Sequence, residues 1–154
     1  MKIGIGFGLT FGVITTLGLL VGLYATTGSQ VVVIGGILSI AVADALSDAL
    51  GIHVSQESKK RAPNQTEVWA ATIATFVAKF LFAMTFLLPV IFLELRTAVI
   101  VSVIWGCLAT ILFTWYLNRK KKEKYFAIVQ HLFLTVFVIV LTYFLGRWIA
   151  FIFQ

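Results

Sequence analysis

Residues 31–53 read VVVIGGILSIAVADALSDALGIH, and this stretch decides how the whole chain is understood. It is apolar and long enough to cross a bilayer, which takes roughly 20 apolar residues in a helix. Yet it carries Asp44 and Asp48. An aspartate at the centre of a membrane helix costs roughly 2.5–3.5 kcal/mol on insertion scales. Two of them need a partner, a proton, a metal or a water-filled cavity. Their spacing of four puts them about 40° apart, on one helical face. At ~1.5 Å per residue they lie on the order of 20 and 26 Å from Val31, well inside the hydrocarbon and toward its far half. Ser47 and Gly51 lie close to that face and leave room beside the carboxylates.

The rest of the chain repeats the pattern. Of its 154 residues 60% are hydrophobic and 12% charged, whereas a soluble domain carries about 25% charged residues. The mean hydropathy of +1.04 agrees with an integral membrane protein. Five apolar segments, at about residues 3–24, 31–53, 68–92, 98–117 and 125–153, predict an all-α bundle of five transmembrane helices in a single domain, 1–154. The first segment outruns a signal-peptide core and is read as a retained helix. SQESKKRAPNQTE, with Pro63-Asn64, forms a loop between the second and third.

Charge sets the expected orientation. Lys59, Lys60 and Arg61 fall in one loop, and Arg119, Lys120, Lys121, Lys122 and Lys124 in another, while the alternate loops carry nothing or Arg96 beside Glu94. The positive-inside rule then puts the N-terminus and both basic loops in the cytoplasm and the C-terminus outside, in a cell (inner) membrane. Such short tracts between apolar spans explain the net charge of +6 without a nucleic-acid partner, and they suit anionic headgroups. Cys107 is the only cysteine, so no intrachain disulfide forms. No Ser/His/Asp triad, phosphate loop or HExxH-type pattern occurs, so no enzyme activity and no resident cofactor are expected.

Lys79, near the middle of the third segment, is the candidate counter-charge for the aspartates. An Asp–Lys pair alone would be a structural salt bridge, but two carboxylates and one ammonium leave an excess negative charge for a proton or cation. His53 lies about 140° round the helix from Asp48 and reads as an interfacial residue that reaches the aspartates only if the helix unwinds. His131 enters the last segment at a comparable depth and offers a proton-accepting nitrogen. Arg147, near the other end of that segment, can snorkel to the interface. Gly4, Gly8 and Gly12, then Gly18 and Gly22, form a small-residue ladder that serves either packing within the chain or a homodimer seam. Met84 and the four tryptophans read as packing and interfacial belts.

GLTFGVITTLGLLVGL together with the 31–60 stretch resembles the first two helices of the vacuolar iron transporter family. Gly12-Val13-Ile14-Thr15-Thr16 match that family's G-L-V-T-T, and Ala45, Ser47 and Gly51 match its second-helix G-A-x-S-M-x-x-G-E-Y, while TFLLPV and TYFLGRWI are similar to later helices. The resemblance implies a dimeric five-helix transporter exchanging divalent iron or manganese for protons between subunits, with the second helix running on into the cytoplasm. The family's helix-one aspartate falls on Phe11, its helix-two methionine on Asp48, the glycine four earlier on Asp44, and its glutamate and tyrosine on Ile52 and His53. The acidic cytoplasmic helices of many members are replaced here by a short basic loop. Hard oxygen donors without the methionine suit manganese, magnesium or calcium at least as well as iron.

The expected function is therefore proton-coupled transport of divalent cations across the membrane. Asp44 and Asp48 would be ligands, Thr15 and Thr16 would line the path, and Lys79 would be the counter-charge, with Ser47 and His53 nearby. Two alternatives stand beside it: a non-transporting scaffold subunit in which Lys79 permanently neutralises an aspartate, and a proton-coupled transporter of another solute.

Overall fold

In a computed structural model the described residues are 2–59, 64–119 and 124–153, with side-chain surroundings described from Phe11 onward. Six helices follow in order: α1 (Lys2–Thr27), α2 (Gln30–Glu57), α3 (Gln65–Thr85), α4 (Leu87–Phe92), α5 (Leu95–Asn118) and α6 (Lys124–Phe153). No strand occurs among the described residues. Four stretches, Gln30–Glu57, Gln65–Phe92, Leu95–Asn118 and Lys124–Phe153, are long and apolar enough to cross a membrane, and the described part of α1, Phe11–Thr27, is apolar too. This fits a multi-pass membrane protein.

The expected third segment is there as one stretch long enough to span a membrane, Gln65–Phe92, with a single-residue interruption at Phe86 between α3 and α4. Pro89 has no N–H to offer the carbonyl of Thr85 four residues back, and its ring crowds that carbonyl. The ladder therefore lapses at Phe86, whose N–H turns to Ala83 O at 3.1 Å. Phe86 is fully buried and anchors the joint in the core. At the start of α3 the Asn64 side chain accepts from Glu67 N at 2.9 Å, satisfying a donor that the helix cannot. Between α1 and α2 the turn is closed by Gly28 at φ 59, a left-handed conformation that costs a residue without Cβ little.

Helix α1 runs through the middle and touches α2, α3, α5 and α6. Its Val13, Leu17 and Leu20 are fully buried, and with Phe82, Phe86 and Val90 they form the core. Close approach is built from small residues. A Cβ on Gly106 would meet Leu17 Cδ1 at 2.2 Å, and one on Gly146 would meet the carbonyl oxygen of Gly22 at 2.6 Å. Helix α6 lies at the margin, burying only Thr135 and Gly146. The large apolar side chains it turns outward, among them Phe133, Phe137 and Phe144, suit lipid and not water.

The two ends of the bundle differ. The connections after α2 and α5 are basic, although Lys60, Arg61 and Lys120 to Lys122 lie outside the described residues. Lys59 Nζ donates to Gln56 Oε1 at 2.7 Å, and Arg119 and Lys124 sit over the rings of Tyr116 and Tyr125. The opposite end holds the Gly28 turn and the α4–α5 connection.

Candidate functional site

Helix α2 packs along Ala41, Ala45 and Ala49, a face of small buried residues at a spacing of four. One position before Ala45 and Ala49 in each turn stand Asp44 and Asp48, at the edge of that contact. Lys79 comes from α3, is buried, and ends between them. Its Nζ lies 2.6 Å from Asp44 Oδ2 and also donates to Asp48 Oδ2. Thr15 Oγ1 on α1 reaches the same Asp44 oxygen at 2.7 Å. Three helices thus meet at one ammonium and two carboxylates.

Gly12 makes this crossing possible. A Cβ there would come within 3.0 Å of Lys79 Cγ, so the lysine stem lies across α1 where α1 has no side chain. Its neighbours in the small-residue ladder are also used inside the chain: Gly18 faces Val138 and Thr142, and Gly22 faces Thr142. The packing role expected of Gly12 is therefore played toward α3. Gly4 and Gly8 lie outside the residues whose side-chain surroundings are described.

The electrostatics are uneven. The Lys79 side chain is 3% exposed, whereas Asp44 and Asp48 are 23% and 22% exposed. Each carboxylate gives Oδ2 to the lysine, and Oδ1 of each has no partner among the described residues. With all three groups ionised the cluster carries one net negative charge. A buried ion pair of this kind is costly unless fully compensated.

The other expected residues divide. Thr15 joins the cluster; Thr16, about 100° further round α1, is buried and bonds neither aspartate. Ser47 is exposed and forms no hydrogen bond to the carboxylates. His53 turns away, as its angle on the helix requires: Nδ1 lies 3.0 Å from Thr72 Oγ1, Nε2 3.5 Å from Glu57 Oε1, and the ring meets Trp69 edge-on. Thr72 gives its own proton to Val68 O at 2.9 Å, so it accepts from His53. Phe11 is half exposed. His131 pairs with Thr114 at 3.0 Å, and Thr110 approaches Thr135 at 3.4 Å, making a polar seam between α5 and α6. Thr72 and Thr114 went unnoticed in the sequence. Each stands on a different helix from its histidine, and no spacing along the chain connects them.

Among the described residues no three His, Cys, Asp or Glu side chains gather into a metal-holding group. The oxygen donors at the cluster are the two carboxylates and Thr15. Comparison with known proteins adds no relative, since no family model, curated protein or solved structure matches the chain.

Proposed function

We propose that the chain is a proton-coupled membrane transporter of divalent metal cations, working at Asp44, Asp48 and Lys79. The observation that carries this reading is the odd charge count: two carboxylates in an apolar helix share one buried ammonium, and Oδ1 of each has no partner among the described residues. Ionisable groups inside a membrane mark ion or proton pathways by default. The resemblance to the vacuolar iron transporter family supports the same reading, and the basic loops support a cytoplasmic N-terminus.

Charge balance gives the mechanism. The empty site is neutral when one carboxylate carries a proton, the other is ionised and Lys79 is an ammonium. A divalent cation bound between two ionised carboxylates is neutral when Lys79 has also given up its proton and swung aside. Passing from one state to the other releases two protons per cation. Carboxylate and hydroxyl oxygens are hard donors, which favours manganese-like or magnesium-like ions over soft ones. Thr15, already on Asp44, adds a fifth oxygen once the lysine leaves.

The test is uptake of manganese and ferrous iron into proteoliposomes under an imposed pH gradient. We expect two protons counter-moved per metal, and loss of flux in Asp44→Asn and Asp48→Asn. Flux that survives both substitutions refutes the site.

A second reading has its own observation. Lys79 is sealed and bonded to both carboxylates, which suits a static clamp in a scaffold subunit. Absence of flux for either metal from folded wild-type protein favours that reading.

A further inference from the structure

His53 and Glu57 stand four residues apart in the last turns of α2, so they share one helical face. The imidazole is fixed by α3. Thr72 spends its own proton on Val68 O, so Nδ1 of His53 carries a hydrogen and donates it to Thr72 Oγ1 at 3.0 Å. Trp69 meets the ring edge-on, with centroids 4.7 Å apart. Nε2 is left facing the carboxylate, 3.5 Å from Glu57 Oε1. That oxygen is held in turn by Gln65, the first residue of α3, whose Nε2 donates to it at 3.3 Å. Lys59, two residues on, gives its ammonium to Gln56 Oε1 instead, and no Lys or Arg pairs with Glu57 among the described residues.

The separation of Nε2 and Oε1 is the informative quantity. A charged N–H···O bond closes to about 2.7–2.9 Å. Two ligands each about 2.1 Å from one ion, at a tetrahedral angle, stand about 3.4 Å apart. A metal-ligating histidine nearly always donates its other ring N–H to a neighbouring acceptor, and a ligating carboxylate is itself hydrogen-bonded. Thr72 and Gln65 supply both supports. We propose that His53 Nε2 and Glu57 Oε1 bind a divalent transition-metal ion of the zinc class, with water completing its coordination.

One imidazole nitrogen and one carboxylate oxygen make a borderline donor set, which suits zinc, cobalt or nickel better than magnesium or calcium. The side chains are 15% and 45% exposed, so the pair is open where the polar connection after α2 begins. With two protein ligands it falls short of a closed structural centre, and its ion exchanges readily. His53 lies five residues beyond Asp48, about 8 Å along the helix at ~1.5 Å per residue. It shares no residue with the acid–lysine cluster, so the assignment does not rest on transport there.

The test is zinc binding by the full chain in mild detergent, measured by equilibrium dialysis near neutral pH. One zinc should be bound per chain, and acidification should release it, because a proton competes for Nε2. Thr72→Val removes only the support on Nδ1 and should weaken binding about tenfold. His53→Ala and Glu57→Gln each remove a ligand and should weaken it further, with circular dichroism and melting confirming the fold. His131→Ala, and Asp44→Asn combined with Asp48→Asn, should bind zinc as the wild type does. Equal binding by wild type and Glu57→Gln overturns the site, as does binding that depends on Asp44 and Asp48 but survives His53→Ala. Absence of bound zinc in the wild type overturns it too, and leaves the pair as a proton-bridged link within α2.

Discussion

Lys79 is the residue on which the site turns, because it is the most deeply buried member of a three-charge cluster and its stem fits only where Gly12 leaves room. Removing it alone strands two carboxylates four residues apart. Lys79→Met should therefore destabilise the protein by about 3–5 kcal/mol, the usual cost of orphaning a buried charge. Combining Lys79→Met with Asp44→Asn and Asp48→Asn removes every charge and should recover most of that loss. Thermal unfolding of the four proteins in detergent measures both. A triple variant as unstable as Lys79→Met would show that packing of the lysine stem, not its charge, is what matters. The carboxylates and the lysine were both legible in the sequence as charges inside apolar segments. Their meeting was not, because Lys79 and Asp48 stand on different helices, and the lysine stem fits only where Gly12 on a third helix leaves room.

The helices themselves followed closely from apolar run length, and the one departure is the break at Phe86. Helix interiors forbid proline through a missing N–H and a ring clash, and Pro89 supplies both. Pro89→Ala restores the donor, so α3 and α4 should join, and the new amide at 89 should exchange slowly with solvent. Fast exchange there would place the cause in the burial of Phe86 instead. Beside the break, the Thr85 hydroxyl donates to Phe82 O at 2.7 Å and accepts from Trp105 Nε1 at 3.0 Å, tying the joint to α5. That cross-link has no signature in either helix alone.

For the molecule as a whole, the central position of α1 sets everything else. It brings Thr15 to Asp44, and the same threonine lines an apolar groove between α1, α2 and α6. Orientation in the membrane is argued from charge, and it can be measured. Single cysteines in place of Lys120 and Ser29, in a Cys107→Ala background, should label from opposite faces of the membrane, Lys120→Cys from the cytoplasmic one if the basic loops set the orientation. Labelling of Lys120→Cys from outside would invert the topology.

Composition, apolar run length and the placement of cations were enough to determine a helical, multi-pass bundle and to single out Asp44, Asp48 and Lys79, because hydrophobicity acts locally and a charge in a long apolar run is conspicuous. Tertiary structure alone decided which helices are neighbours. Nearly uniform apolar helices carry little angular information about their partners, so only packing shows Lys79 crossing Gly12 and His53 turned to Thr72.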